Sequence, residues 1–169
     1  MGARGWHSRG YLPHYDGPAV SQHVVFRLFD SVPLGAQEGD DVLDRHFGSS
    51  FMRDARCANV VAETLVSDGP YALQAWCVMP NHVHALIAPH AEAELGRIVH
   101  YWKSVTRRRV NALLARTGPV WAKDYFDRYI RNDRQFETTK HYIEMNPVTA
   151  GLCADPCEWP FSSAGWKPK

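Results

Sequence analysis

Two histidines two residues apart are the first residues of this chain whose types and spacing could do chemistry. His82 and His84 lie in a β-rich run, so a strand would point both imidazoles to one side of a sheet, where they could converge on a metal ion. The pair alone is weak support, because 9 histidines among 169 residues give about half a His-x-His by chance. A metal site therefore needs support from other residues.

Tyr142 and Asn146 form a second candidate constellation near the C-terminus. They are four residues apart, so on a helix a phenol and an amide would face the same pocket. The alternative is a core tyrosine followed by a turn asparagine, since Pro147 biases the residue before it away from helical geometry. The spacing alone leaves both interpretations open.

A basic stripe is the third feature. No acidic residue lies between Leu95 and Arg116, and the cations there are interleaved with Tyr101 and Trp102. Such a stripe could neutralise phosphates and offer rings for base stacking, although a solvated helix face without a partner explains it equally well. The cations are Arg97, Lys103, Arg107, Arg108, Arg109 and Arg116.

Hydrophobic periodicity predicts the elements that must position these residues. Ser21 to Asp30 alternates like a strand, and Asp41 to Asp68 has the three- to four-residue spacing of a helix that stops before Gly69-Pro70. The runs Tyr71 to Met79 and His82 to Ala88 predict a hairpin joined at Pro80-Asn81. Further along we expect a helix over Leu95 to Leu114, a strand over Phe126 to Arg131, and a last helix capped by Asn132 in a capping box with Gln135.

This order of elements predicts a ferredoxin-like α/β sandwich, with an antiparallel sheet, helices on one face and an added C-terminal helix that carries Tyr142. We expect one domain over residues 1–169. Residues 1–16 would be an N-terminal arm without strand periodicity, residues 17–152 the core, and residues 153–169 an aromatic tail that packs back and seals a sheet edge.

Composition restricts the class of protein without naming it. A chain of 169 residues with 45% hydrophobic content can bury one good core. There is no long apolar run or secretory signal, so we expect a cytoplasmic, nucleoid-associated protein without membrane contact. Cys57, Cys77, Cys153 and Cys157 contain no C-x-x-C pair and are expected to be ordinary thiols. A net charge of +1 does not by itself indicate a nucleic-acid partner.

Three strings, in order along the chain, resemble the single-tyrosine HUH transposases of the IS200-like superfamily. They are WCVMPNHVHALI from Trp76, VWAKDYFDRYIRND from Val120 and YIEMNPVTAGL from Tyr142. They are most similar to the REP-associated tyrosine transposases, where REP denotes a repetitive extragenic palindrome. The strings RGYLPHYD, RLFDSVP and EWPFSSA look like the same branch, so the resemblance covers nearly the whole chain.

The resemblance implies a role for each matching residue. His82 and His84 would hold a divalent metal, Mg²⁺ or Mn²⁺, with Asn146 as third ligand, and Tyr142 would be the nucleophile that forms a 5′-phosphotyrosine with single-stranded hairpin DNA. Insertion-sequence relatives usually have glutamine at the position of Asn146. Thr149 departs from the lysine or arginine that relatives often carry, which puts a phosphate contact there in doubt. We take the basic helix and the N-terminal arm as candidate DNA contacts.

Two competing functions stay open at this point. One is a nucleic-acid-binding module that keeps the fold without the chemistry. The other is a zinc hydrolase that adds Asp127 or Glu144 to the histidine pair, which leaves the spacing of Tyr142 and Asn146 unexplained. The base for Tyr142 is unassigned, because His141 would point about 100° away on a helix. Monomer or homodimer, and a tyrosine acting in its own subunit or its partner's, are equally compatible with the spacing.

Overall fold

The computed structural model describes residues 5–8, 13–16, 20–31, 43 and 48–167. No helix within these ranges is long and apolar enough to cross a membrane. The strands are β1 Gly5–Ser8, β2 Pro13–Asp16, β3 Gln22–Arg27, β4 Tyr71–Val78, β5 His82–Pro89 and β6 Phe126–Tyr129. The helices are α1 Ala55–Val66, α2 Leu95–Leu113 and α3 Asp133–Thr149, with short 3-10 turns at Phe51–Arg53 and Pro156–Glu158.

Four of the strands form one antiparallel sheet in the order β4-β5-β3-β6. The predicted hairpin is confirmed, since β4 and β5 pair directly across the short turn at Pro80 and Asn81. α1 connects β3 to β4, and α2 connects β5 to β6, so each helix crosses over the strand that lies between the two it joins. This is the ferredoxin-like topology, and the predicted fold class is confirmed.

The two faces of the sheet are covered by different helices. On one face, Phe26 and Ala85 belong to a large core that also contains Trp102 of α2 and residues of α1. On the other face, Cys77 and Leu86 belong to a smaller core with Ile143 of α3. Side chains alternate between faces along each strand, so every residue of β3 and β5 is assigned to the α1–α2 side or to the α3 side.

The last helix begins at the predicted cap, Asn132, and continues past Asn146, which one interpretation had placed in a turn. Asn132 Oδ1 accepts a hydrogen bond from Gln135 N at 2.9 Å. The reciprocal bond of the predicted capping box is displaced by one residue, because Gln135 Oε1 accepts from Arg131 N. α3 then runs through Pro147 to Thr149, with Asn146 buried inside it. The interpretation of Asn146 as a turn residue is therefore wrong.

The C-terminal tail lies along β4, which is one edge of the sheet. Val78 N donates to Phe161 O, and Ser163 N donates to Trp76 O, both at 2.8 Å. Trp159 Nε1 also donates to Val78 O at 3.0 Å. These bonds satisfy backbone groups that an edge strand would otherwise present to solvent, so the prediction of a tail that seals an edge is confirmed.

The N-terminal arm contains two strands, so the expectation that this segment lacks strand structure is wrong. β1 and β2 pair with each other as an antiparallel ribbon, and the ribbon lies beside β6 at the other edge of the sheet. His14 of β2 is completely buried there. Its ring stacks on Tyr125 at 4.4 Å and its nitrogens bond the carboxylates of Asp124 and Asp127.

The predicted crossover helix is shorter than its apolar pattern suggested. Asp54 caps α1 by accepting a hydrogen bond from Arg56 N at 2.9 Å, and the helix ends at Val66, before Gly69 and Pro70 as expected. The predicted helical residues 41, 42 and 44–47 lie outside the described residues. All four cysteines are free thiols, as expected from their spacing.

Candidate active site

The candidate site is built around the histidine pair on β5. His82 and His84 are both completely buried, on the α3 side of the sheet. Their Nε2 atoms are 3.0 Å apart, so the two imidazoles converge as their spacing predicted. The other nitrogen of each ring also has a partner: His82 Nδ1 bonds Asn81 Oδ1 at 2.7 Å and His84 Nδ1 bonds His23 Nε2 at 3.0 Å.

Burial controls the charge of His84. Removal from water lowers the pKa of His84 to about 3, because a buried imidazolium loses its hydration without an anion to replace it. His84 is therefore neutral at physiological pH. A neutral imidazole keeps a lone pair on one nitrogen, which is the form that binds a metal ion.

Tyr142 lies against these histidines from α3. Its ring centroid is 5.6 Å from that of His84 and 6.2 Å from that of His23, edge-on in both cases. The side chain is 38% exposed, so a substrate can reach it from solvent while the histidines behind it are closed off. The tyrosine and the histidines of this arrangement come from one and the same chain.

Asn146 follows Tyr142 by one helical turn and is 2% exposed. Within the described residues, its Oδ1 atom is buried without a hydrogen-bond partner. A buried polar atom left in this way costs about 1–3 kcal/mol, unless a ligand satisfies it. A cation that accepts oxygen and imidazole ligands would do so, which makes the Asn146 amide the third candidate ligand of the pair.

The two imidazoles are close enough for one ion to contact both, since their Nε2 atoms lie 3.0 Å apart. Among the residues described, no three His, Cys, Asp or Glu side chains are grouped to hold a metal. The candidate donor set is thus two imidazoles and one amide, a mixed nitrogen and oxygen set that could hold a divalent cation.

The carboxylates considered for a zinc hydrolase are engaged elsewhere. Asp127 bonds His14 and pairs with Val24 of β3, which places it on the α1–α2 side of the sheet. Glu144 bonds Lys140 Nζ and Ser163 Oγ, each at 3.0 Å. The structure therefore brings neither carboxylate to the histidine pair as that alternative requires.

The basic helix occupies the opposite face of the sheet from Tyr142. Trp102 is completely buried and donates from Nε1 to Tyr71 Oη at 3.0 Å, so the expectation that its ring could stack on a base is wrong. Burial lowers the pKa of Lys103 to about 8, and Lys103 Nζ bonds the carbonyl oxygen of Lys123 at 3.0 Å. Lys103 therefore ties α2 to the loop before β6.

The predicted arginines of this helix are mostly engaged within the chain. Arg109 pairs with Glu63 at 2.8 Å, and Arg97 with Glu94 at 3.3 Å. Arg107 Nε and Arg116 Nη2 donate to backbone carbonyls in the loop after the helix, those of Gly118 and Pro119. Arg108 is exposed. A DNA-binding role for this face stays a prediction.

The face that carries Tyr142 has its own exposed cation and ring, which the sequence analysis missed. Phe126 pairs with Val25 and Arg128 with His23, so both lie on the α3 side, at the β6 edge. Phe126 is 42% exposed, and the Arg128 guanidinium lies 5.9 Å from its ring centroid. We call these two residues the β6 strip. The sequence does contain a signal for this placement. Phe126 and Arg128 alternate with Asp127 and Tyr129 along the strand, so the two pairs lie on opposite faces.

His23 and Asn81 were also missed as site residues. His23 lies among the apolar residues of β3, which is the first strand that the sequence predicted. Its position on the α3 side, with the histidine pair, follows only from the pairing of β3 with β5. Asn81 was interpreted as a turn residue, yet it bonds a histidine. His141, next to Tyr142, is exposed.

The fold and the site together define a ferredoxin-like domain in which a helix-borne tyrosine faces a buried His-x-His pair. Residues 51–146 match the family described as "Transposase IS200 like", and the chain belongs to that family. It is 26% identical over 97 residues to the REP-associated tyrosine transposase of Escherichia coli (strain K12), which is 57% of this chain and 56% of that protein. A relative from Haemophilus influenzae is also 26% identical, over 104 residues, covering 56% of this chain and 59% of that protein.

The chain thus spans little more than half the length of the curated relatives it matches. A match to a solved structure covers more of the chain. The structure of a REP-associated tyrosine transposase bound to a REP hairpin superimposes with a TM-score of 0.66 and 17% sequence identity, over 94% of this chain and 88% of that one. At this identity the match establishes the shared fold.

Proposed function

We propose that this chain is a metal-dependent endonuclease and strand transferase for single-stranded DNA, acting through a covalent 5′-phosphotyrosine on Tyr142. The observation that carries the proposal is the accessible Tyr142 phenol against the buried His84 ring, 5.6 Å between centroids, in a member of the IS200-like transposase family. A protein with this activity would work at the nucleoid.

In that reaction Tyr142 would form the covalent bond to the DNA and later release it. The Tyr142 hydroxyl loses its proton and its oxygen attacks the scissile phosphorus, so an O–P bond to tyrosine forms and the bond to the 3′ oxygen breaks. The departing strand takes a proton and ends in a 3′-hydroxyl. Attack by this or another 3′-hydroxyl reverses the step and joins strands without an external energy source.

His82, His84 and Asn146 would hold Mg²⁺ or Mn²⁺, and the bound ion would neutralise charge that develops on the scissile phosphate. Two features support this assignment. The distance between the histidine Nε2 atoms suits two neighbouring ligands of one ion, and the Asn146 Oδ1 atom is buried without a partner among the described residues. The neutral state of His84 leaves the lone pair that such a ligand needs.

The proposed substrate is a single-stranded REP hairpin. The E. coli relative is named as REP-associated, and the protein in the matching solved structure is bound to a REP hairpin. On this chain, the β6 strip supports a path for unpaired nucleotides toward Tyr142. A base can stack on exposed Phe126 while a phosphate contacts Arg128.

Replacing Arg128 with alanine is expected to weaken hairpin binding and to reduce the slope of log affinity against log salt by about 1, because one phosphate contact is lost. Fluorescence polarisation with a labelled hairpin that carries an unpaired flank, at several KCl concentrations, measures both quantities. Arg108→Ala is the matched control, since Arg108 is an exposed arginine on the opposite face. If Arg108→Ala reduces the slope and Arg128→Ala does not, the basic helix is the DNA surface and the β6 strip is not.

The central test uses labelled hairpin oligonucleotides from the palindromic repeats of the source genome, incubated with the protein in Mn²⁺ or in EDTA. A band of protein joined to DNA on a denaturing gel, present with Mn²⁺ and absent with EDTA, is the expected result. Binding without an adduct or cleavage for every repeat would instead identify a nucleic-acid-binding module. Hydrolysis without a covalent intermediate would favour a metal-dependent hydrolase.

A further inference from the structure

A continuous chain of hydrogen bonds runs through the buried histidines. Asn81 Nδ2 donates to the carbonyl oxygen of Leu43 at 2.7 Å, and Asn81 Oδ1 bonds His82 Nδ1 at 2.7 Å. His82 Nε2 and His84 Nε2 are 3.0 Å apart, and His84 Nδ1 is 3.0 Å from His23 Nε2. Each candidate metal ligand thus has a partner at Nδ1, which is Asn81 for His82 and His23 for His84.

Leu43 fixes the first proton. A backbone carbonyl can only accept, so the amide nitrogen of Asn81 must face it and the amide oxygen must face His82. An amide oxygen also only accepts, so His82 must carry its proton on Nδ1. The lone pair of His82 then lies on Nε2, directed at His84. Rotating the Asn81 amide by 180° would break both bonds.

The role that His84 would have as a ligand fixes its own proton in the same way. For His84 to bind an ion beside His82, its lone pair must be on Nε2 and its proton on Nδ1. Nδ1 then donates to His23 Nε2, which lies 3.0 Å away. Both candidate ligands would thus be held as Nδ1-protonated tautomers, one by Asn81 and the other by His23.

We propose that Asn81 and His23 are positioning residues: Asn81 holds His82, and His23 holds His84, as the Nδ1-protonated tautomer that leaves Nε2 for a divalent cation. This inference rests on the metal site of the proposed function. Partners behind metal-binding histidines typically change metal affinity by about 10- to 100-fold when removed. His23 also contacts the Tyr142 ring, so the partner of His84 adjoins the proposed nucleophile.

Nitrogen NMR of the full chain labelled with ¹⁵N-histidine tests this directly, because two-bond ¹H–¹⁵N spectra show which ring nitrogen carries the proton. At saturating Mg²⁺ we expect His82 and His84 both protonated on Nδ1 and unprotonated on Nε2. A proton on Nε2 of either histidine at saturation would overturn the inference.

Variants give a second readout that does not depend on DNA cleavage. Asn81→Ala and His23→Phe are expected to weaken Mn²⁺ binding, measured by electron paramagnetic resonance, by about 10- to 100-fold. His23→Gln should restore most of the affinity, because an amide can donate or accept. The control Asn111→Ala removes an amide that also bonds a backbone carbonyl, that of Gly118, and exposed His100→Gln controls for loss of a histidine. Both controls should bind Mn²⁺ normally.

The outcomes separate this inference from the proposed function. Adduct formation in Mn²⁺ together with normal Mn²⁺ affinity in Asn81→Ala and His23→Phe overturns the positioning roles and leaves the transferase intact. Nδ1-protonated ligands in a protein that never forms an adduct support the positioning roles and overturn the transferase. If no divalent ion binds, the positioning roles are overturned together with the metal site. Thermal melting of each variant checks that it is folded, and the wild-type spectra require no variant.

Discussion

Replacing Tyr142 with phenylalanine is expected to abolish the covalent adduct and to reduce strand cleavage by at least about a thousandfold. The substitution removes the oxygen that would form the proposed bond to phosphorus and leaves the ring that packs against His84 and His23. Loss of a nucleophile has effects of this size or larger in enzymes that use covalent catalysis. The rate of adduct formation with a labelled hairpin in Mn²⁺, followed on denaturing gels, is the measurement.

The matched control is Tyr101→Phe, because Tyr101 is an exposed tyrosine on α2, on the other side of the sheet. It should form adduct at the wild-type rate. Hairpin affinity should be close to wild type in both variants, since a phenyl ring still fills the Tyr142 position. Cleavage that persists in Tyr142→Phe would show that another group, or water, is the nucleophile.

Substituting His84 with alanine should remove specific Mn²⁺ binding and lower the rate of adduct formation by about 10²- to 10³-fold, an effect of the size seen when transition-state charge loses one stabilising group. His84 occupies the centre of the hydrogen-bond chain, between His82 and His23. Its loss would therefore remove a proposed ligand and separate His82 from His23. In this variant, EDTA should have little further effect on the residual rate.

His90→Ala is the control for that experiment. His90 is exposed and follows directly after the far end of β5, so it tests for the loss of a histidine outside the site. Mn²⁺ titration by electron paramagnetic resonance and the adduct assay should both give wild-type values for it. A His84→Ala protein that is folded, binds Mn²⁺ normally and forms adduct at the wild-type rate would contradict the assignment of the metal site.

Local patterns were sufficient to predict much of the fold. The hairpin of β4 and β5 follows from two β-rich runs separated by a two-residue break, and α2 from an apolar stripe of helical period. The cap at Asn132 is a local hydrogen bond between a side chain and a backbone amide three residues on. In each case the physical cause lies within a few residues of the element.

The features that sequence reasoning missed depend on contacts between distant residues. The N-terminal ribbon is held by His14 against Asp127, 113 positions away, and no pattern within residues 1–16 contains that information. His23 and Arg128 become site residues only through the register of β3 with its two neighbours. α3 continues through Asn146 and Pro147, although a proline disfavours helical geometry at the residue before it. Tertiary packing overrides this local preference, because Ile143 and Asn146 are both buried on the side of α3 that faces the sheet.

The basic stripe on α2 shows what a pattern of charges leaves open. Its charges have a clear pattern, but the pattern does not reveal whether they are available to a partner. Lys103 and Arg107 bond backbone carbonyls of the following loop, and Arg109 pairs with α1. Ion pairs and loop contacts within one domain use the same residue types as phosphate binding, so only the three-dimensional arrangement separates the two.

The tail along β4 also restricts how copies of this chain can assemble. An uncovered edge strand can recruit a second sheet, so that two subunits share one continuous sheet across the contact. Here Val78 N and Trp76 O are already bonded to Phe161 and Ser163 of the same chain. A dimer that extends the sheet past β4 would have to displace this tail, including the bond from Trp159 to Val78. A symmetric pair with the tail in place would have to use the Tyr71 end of β4 or a different surface.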